Sequence, residues 1–330
     1  MDNENNILVI GGEGYVGNVV IKKLLDEKYK ILSLDNLIYN QDIKTRSYYK
    51  NHSYSFKKID IRDEYLDIID FSKFKSILLF AGLVGDPITK KYPELSIEIN
   101  ENSIMRIINH CIKFDNINII FISTCSNYGF IKENLYASEK HELNPLSIYA
   151  KSKVKIENYL ISHNSVLNST ILRFATAFGL SERMRFDLTL NEFTKDIYLK
   201  KKLEVYDADT WRPYCHVKDF AKLISIILSS PKNLIKNEIF NAGSNENNFT
   251  KRDIINCISS NISSSNVVNY LKKSNDPRNY KVDFSKVKNM LGFSADCSLD
   301  YGVKEIINAF EKNKFPDIDK NFMNYGNYKI

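Results

Sequence analysis

Residues 7–17 read Ile7-Leu8-Val9-Ile10-Gly11-Gly12-Glu13-Gly14-Tyr15-Val16-Gly17. A short apolar run enters a glycine turn, and a helical pattern follows over residues 19–28. Glycines at 11, 14 and 17 permit a tight turn, close backbone approach to a pyrophosphate, and close helix–strand packing. The spacing G-x-x-G-x-x-G departs from the commoner G-x-G-x-x-G, so the surroundings must give the loop its meaning.

Working outward, apolar runs at residues 31–34, 55–59, 76–80, 117–122 and 169–174 read as further strands. Helical patterns at 102–113 and from about 146 lie between them. Strands alternating with helices predict an α/β fold, a doubly wound parallel sheet with helices on both faces. Past Gly179 the alternation fades. Helices are expected at 187–198 and 217–229, a strand at 203–206, and short helices among Asn- and Ser-rich loops over 244–330. This predicts a nucleotide-binding domain over 1–178, with a return segment near 214–240, and a smaller substrate-binding lobe over 179–330.

The second strand ends at Asp35, about one βα unit after the glycine loop, where a carboxylate can hold both ribose hydroxyls of an adenosine. An acid there repels a 2′-phosphate, which favours NAD over NADP. The third strand leads to Asp60-Ile61, with Asp60 placed to accept from the adenine amino group. The fourth ends in Phe80-Ala81-Gly82-Leu83, whose small residues let a dinucleotide lie against the strand ends.

At 330 residues, 43% hydrophobic and 26% charged, the chain has the composition of a globular protein that buries a full core. A net charge of +6 with scattered basic residues gives no nucleic-acid patch. Five separated cysteines without a C-x-x-C pair fit free thiols in a reducing compartment. The polar N-terminus and short apolar runs predict a cytoplasmic protein without a signal peptide or membrane span.

Ser147-Ile148-Tyr149-Ala150-Lys151-Ser152-Lys153 puts Tyr149 and Lys153 on one helix face at i and i+4. A tyrosine is a poor base at its usual pKa of about 10. Nearby cations favour the phenolate, and reaching roughly 7 needs about 4 kcal/mol of differential stabilisation. The pair follows the strand that ends in Ser123-Thr124, so Thr124 is placed to hydrogen-bond the hydroxyl that Tyr149 deprotonates.

Together these residues resemble the extended short-chain dehydrogenase/reductases of the NAD-dependent nucleotide-sugar epimerase/dehydratase family. The resemblance spans almost the whole chain: GGEGYVG, Asp35-Asn36-Leu37, Asp60-Ile61, FAGL at 80–83, Ser123-Thr124, YAKSK at 149–153 and WRPYCHV at 211–217. LVGDP at 83–87, RFATAFG at 173–179 and RMRFD at 183–187 are similar to a bacterial surface-polysaccharide subgroup that includes GDP-heptose 4-dehydrogenases. The resemblance implies a Rossmann-type NAD domain, a nucleoside-diphosphate-sugar lobe and a homodimer packed through helices near 101–114 and 146–163. It assigns catalysis to Thr124, Tyr149 and Lys153. Tyr15, Val16, Asn100 and Ala175 are expected beside the cofactor. Thr176, Arg212 and Arg278 are expected on the substrate, the two arginines on its diphosphate. Arg183 and Arg185, of one basic loop, and Asn191 are further substrate candidates.

Family members begin by oxidising C4 of the sugar. Dehydratases usually add an acidic residue within the two positions after the catalytic threonine, where this chain has Cys125 and Ser126. A thiol and a hydroxyl are poor general acids beside a carboxyl. C4 oxidation or epimerisation therefore ranks above 4,6-dehydration, and a non-catalytic NAD-binding sensor ranks lower still because Thr, Tyr and Lys are all present. Cys125 and His216 read as structural.

Overall fold

The computed structural model describes residues 5–63, 69–114, 117–132, 135–262, 268–271 and 278–330. In chain order the described strands are β1 Asn6–Ile10, β2 Lys30–Asp35, β3 Tyr54–Lys58, β4 Ser76–Leu79, β5 Asn118–Thr124, β6 Tyr136–Ala137 and β7 Asn168–Phe174. They continue with β8 Thr176–Phe178, β9 Leu203–Tyr206, β10 Trp211–His216, β11 Glu238–Ala242, β12 Asn248–Thr250, β13 Val268–Leu271 and β14 Lys281–Val282.

Seven of these form one parallel sheet in the order β11-β7-β5-β4-β1-β2-β3. From β1 the chain winds outward through β2 and β3, then returns to β4 and winds the other way. The order reverses between β1 and β4, and the crevice beyond their carboxyl ends is where such sheets bind ligands.

The apolar runs are continuous because both sheet faces are covered. Ile7 and Val9 enter one core with Val20, Ile21 and Leu24 of the helix Gly17–Asp26 and with Phe220 and Ile224 of the helix Val217–Ser229. Leu8 and Ile10 enter the opposite core with Ile104, Ile107 and Ile108 of the helix Ile104–Cys111. Ile156 and Leu160 of the helix Ile148–Ser162 join that second core. These apolar stripes therefore face the chain's own sheet and give no argument for a helix-bundle dimer. Burying each such side chain contributes about 1.5–3 kcal/mol.

A third core gathers Tyr15 with Phe178, Phe186, Phe193, Tyr214, Ile254 and Val303. Here β8, β10 and β12 form a small mixed sheet, and the pairs β9–β13 and β6–β14 complete the architecture. All five cysteines are free thiols. Among the described residues no helix is long and apolar enough to cross a membrane.

Candidate active site

A cavity of about 740 Å³ opens at the reversal point of the sheet. Its floor is the glycine loop. Gly11 has φ +82°, and a Cβ there would lie 2.3 Å from the Ala81 backbone nitrogen, so loop and β4 end touch directly. A Cβ on Gly17 would meet the Gly12 carbonyl at 2.5 Å. Gly14 differs: a Cβ would meet only the Gly11 carbonyl, at 3.6 Å, and would project into open cavity. The helix Gly17–Asp26 starts without a side-chain cap, and although Asn18 N donates to the Gly14 carbonyl at 3.2 Å and Val19 N to the Val16 carbonyl at 3.1 Å, the positive end of the helix faces the cavity beside the glycine loop.

Asp35 lines the cavity at the end of β2 and accepts from Leu37 N at 2.8 Å and Glu13 N at 3.1 Å. Burial pushes its carboxyl up to about 6, against the pull of those two N–H bonds. An open glycine cradle, an uncapped helix and a carboxylate one βα unit away fit a dinucleotide that lacks a 2′-phosphate. Tyr15, Val16, Asn36, Ile61, Phe80, Ala81, Gly82 and Leu83 line the same wall.

Three expected cofactor contacts are placed differently. Asp60 lies outside the cavity lining, because its carboxylate is held by Arg62 at 2.8 and 2.9 Å and by Asn36 Nδ2 at 2.8 Å. These partners hold its pKa down to about 2, the Arg62 bond first among them. Leu37 adopts φ +56° and contributes its backbone to Asp35 rather than a cavity wall. Asn100 sits in a π-helical stretch, Glu98–Ser103, and acts on the loop: its Oδ1 accepts from Leu83 N at 2.7 Å and its Nδ2 donates to Leu83 O at 3.0 Å.

Thr124 ends β5 at the cavity wall, with Oγ1 accepting from Ser126 N at 3.1 Å. Ser147 caps the helix that carries Tyr149 and Lys153, accepting from Ala150 N at 3.2 Å. Tyr149 and Lys153 both line the cavity. Lys153 Nζ donates to Ile122 O at 2.7 Å and lies 4.6 Å from the Phe121 ring centroid and 5.8 Å from that of Tyr149. Burial pushes its pKa down to about 7, partly opposed by Glu157.

The Tyr149 phenol is raised, not lowered, because burial dominates. The cation that acts against this is Arg185, and Asp86 adds to the rise. Behind Thr124 lies a buried network in which Glu157 accepts from Ser123 Oγ, from Asn127 Nδ2 at 2.8 Å and from Arg173 Nη2 at 2.7 Å. Cys125 faces this network, its thiol donating to Arg173 O at 3.1 Å, and is absent from the cavity lining. His216 is also structural: it accepts from Lys218 N at 3.1 Å and lies 3.0 Å from Glu305.

On the far side, Ala175, Thr176, Arg185, Arg212 and Arg278 line the cavity. Arg212 lies 5.1 Å from the Tyr280 ring centroid, and Arg278 pairs with Asp86 at 2.5 Å. Arg185 is buried against Asp187, at 2.5 and 3.0 Å. Asn191 is not part of the lining: it accepts from Gly179 N at 3.0 Å and donates to Tyr15 Oη at 2.9 Å and Arg185 O at 3.0 Å. With its amide satisfied by the protein, it braces the loop instead of facing a ligand.

The model of the NAD dependent epimerase/dehydratase family matches residues 7–243. The chain belongs to that family. NAD is accordingly its cofactor. A putative UDP-glucose 4-epimerase of Methanocaldococcus jannaschii is 26% identical and aligns over 93% of this chain and 99% of its own. A UDP-glucuronate 4-epimerase of Thermodesulfobacterium geofontis is 25% identical over 93% and 96%. Among solved structures, a UDP-glucose 4-epimerase of Thermotoga maritima with UDP-glucose has TM-score 0.83 at 23% identity, covering 94% of this chain and 99% of that one. A dTDP-glucose 4,6-dehydratase of Streptomyces venezuelae also has TM-score 0.83, at 20% identity over 94% and 98%. An epimerase and a dehydratase fit the fold equally, so the likeness shows the architecture alone.

This epimerase/dehydratase family member also lines its cavity with Tyr39, Asp86, Asp187, Glu192, Asn327 and Tyr328, which the sequence did not single out. Asp86 and Asp187 stand inside the quoted motifs LVGDP and RMRFD, though no role was read for either. Asn327 and Tyr328 had no local signal; they arrive because Phe186 N donates to Tyr325 O at 2.6 Å and Asn327 Nδ2 donates to Val84 O at 2.9 Å.

Proposed function

We propose that the chain oxidises C4 of a nucleoside-diphosphate sugar with NAD, passing through a 4-keto sugar as a 4-epimerase or 4-dehydrogenase. The observation that carries this is one cavity lined by Thr124, Tyr149, Lys153 and the glycine loop, with no carboxylic acid at positions 125 and 126. Bound NAD supplies the hydride acceptor and, when oxidised, a positive ring. Thr124 Oγ1 already accepts the Ser126 N–H, so its own proton is free to hold the sugar hydroxyl. Tyr149 takes the C4 hydroxyl proton; burial keeps its phenol protonated until nearby positive charge outweighs desolvation. Lys153, 5.8 Å from the Tyr149 ring centroid, and Arg185 across the cavity are basic groups of the chain that bear on it.

Dehydration needs an acid for the C6 hydroxyl. Next to Thr124, Cys125 faces the Arg173 carbonyl and Ser126 offers only a hydroxyl; among the lining carboxylates Asp86 and Asp187 are held by arginines, and Glu192, pushed up by burial, stands on the helix Thr189–Tyr198 and not beside Thr124. The two 4-epimerases among the relatives agree in kind with C4 chemistry. Arg212 and Arg278 are assigned to the substrate diphosphate, with residues 179–330 as the substrate lobe beside an NAD domain over 1–178 and its return segment. A homodimer, a cytoplasmic location and a role in bacterial surface-polysaccharide sugar synthesis complete the reading, the last resting on the loop motifs at 83–87, 173–179 and 183–187.

The test is incubation of the NAD-loaded protein with separate nucleotide sugars, following NADH absorbance and product stereochemistry by NMR. Tyr149→Phe is expected to lower turnover at least about 1000-fold while NAD stays bound, within the range for losing a general base. Near-normal turnover in that variant would remove Tyr149 from its role.

A further inference from the structure

Residues 181–183 leave the second lobe and are fastened to the cofactor half. Ser181 Oγ donates to the Tyr15 carbonyl at 2.7 Å, and Asn18 Nδ2 donates to Ser181 Oγ at 2.8 Å. Arg46 Nη1 donates to the Glu182 carbonyl at 2.6 Å. The Glu182 carboxylate accepts from Ser47 N at 2.9 Å and Ser47 Oγ at 2.5 Å. All four anchors, Tyr15, Asn18, Arg46 and Ser47, belong to the glycine loop, its helix and the segment after β2.

Arg183 follows directly in this fastened segment. Its side chain is buried and lines the cavity, 4.6 Å from the Tyr39 ring centroid, with Nη2 donating to Gly326 O at 3.3 Å. Among the described residues no carboxylate lies within ion-pair distance of it, and the nearby Asp187 is engaged by Arg185. Burial and the like charge on Arg185 push its pKa down to about 10. Tyr39 Oη, also on the cavity wall, is buried without a hydrogen-bond partner. A desolvated guanidinium and an unsatisfied phenol on one wall are unfavourable unless an anion with acceptor oxygens completes them.

We propose that Arg183 is the counter-charge for the diphosphate of NAD, and that residues 181–183 tie the second lobe across the cofactor cleft. A diphosphate is present in both NAD and a sugar nucleotide, and the anchors decide between them. Arg183 stands on a segment held by the glycine loop, and its charge is felt at Asp35, the ribose carboxylate. Arg212 and Arg278 stand on β10 and beside Asp86, away from those anchors. One consequence is slow release of NAD and NADH, which suits return of the hydride within a single cofactor-loaded molecule.

The experiment measures exchange of bound NAD against isotopically labelled NAD in the purified full chain, without any sugar. Arg183→Gln is expected to speed release about 30-fold, the loss of charge-assisted hydrogen bonds to an anion, with Arg183→Lys in between. Its thermal stability should not fall, since the unpaired charge is removed. Ser47→Ala, which frees Glu182 and leaves every charge in place, is expected to speed release about threefold by losing hydrogen bonds that hold the segment. Unchanged release in both Arg183→Gln and Ser47→Ala overturns the proposal. So does a rise confined to the sugar-nucleotide KM at saturating NAD, which would put the anion on the substrate. Because exchange is read without turnover, the C4 reading and this one fail separately.

Discussion

Asp35 and Lys153 are cavity residues whose surroundings move their ionisation well away from the ordinary value. The Asp35 carboxyl is pushed up to about 6 by burial, and in the ribose-binding role proposed for it the hydroxyls would donate to its ionised form. Binding therefore favours deprotonation, so NAD affinity is level above that value and falls below it. Between pH 7 and pH 5 the dissociation constant is expected to rise about tenfold, as for a site that binds only the ionised form. Titration calorimetry across that range checks it, and a profile as flat as that of Asp35→Asn would count against it. For Lys153 the folded-state value of about 7 lies below the ordinary 10.5. Below about pH 7 both folded and unfolded chains carry the charge and the burial penalty is complete. Between the two values the unfolded chain binds more protons, so stability rises with pH. Lys153→Met is expected to stabilise the fold by about 2 kcal/mol near pH 6, less than the full shift implies because the bond to the Ile122 carbonyl is lost. The gain should shrink toward pH 10 in denaturant titrations; a gain that grew with pH would reverse the assignment. Both residues were legible in the sequence through their place after a strand end or one turn from Tyr149. Their shifts were not, because desolvation depends on what the whole chain packs around them.

The elements that shape the site are the glycine loop, the β4 end and the π-helical stretch that braces it. Gly11 and Gly14 look equivalent in the sequence, and the structure separates them. Gly11→Ala meets the Ala81 backbone at positive φ and is expected to cost about 2–4 kcal/mol of stability. Gly14→Ala meets open cavity and is expected to change stability by less than about 1 kcal/mol while weakening NAD binding at least tenfold. Thermal melts and NAD binding of the two variants check the pair, and similar melts for both would contradict it. Asn100 shows the limit of motif reading at this scale. Its position predicted a cofactor neighbour, yet its amide closes on the Leu83 backbone. Asn191 does the same for Gly179 and Arg185. A motif marks that a side chain matters at the site; whether it faces the ligand or braces the loop depends on hydrogen-bond partners distant in sequence. The network of Ser123, Glu157 and Arg173 was likewise invisible, since its members come from β5, the helix Ile148–Ser162 and β7.

For the whole molecule, alternating apolar runs and helical patterns were enough to foresee the doubly wound sheet, because strands buried on both faces leave a strong local signature. The region of the third core was less legible. Its core joins residues as far apart as Tyr15 and Ile318, and its cavity wall includes Asn327 and Tyr328 from the last residues of the sequence. That assembly brings Arg185, Arg212 and Arg278, the Thr124 strand end and the glycine loop around one cavity, the arrangement on which the proposed C4 oxidation rests. The most direct measurement uses nucleotide sugars carrying deuterium at C4 with the NAD-loaded protein. The account predicts that deuterium leaves C4 for the cofactor and is recovered either in NADH or again at C4 of the epimerised sugar. Deuterium recovered at C6 of a 6-deoxy-4-keto sugar, or no transfer from any sugar by protein that holds NAD, would contradict it.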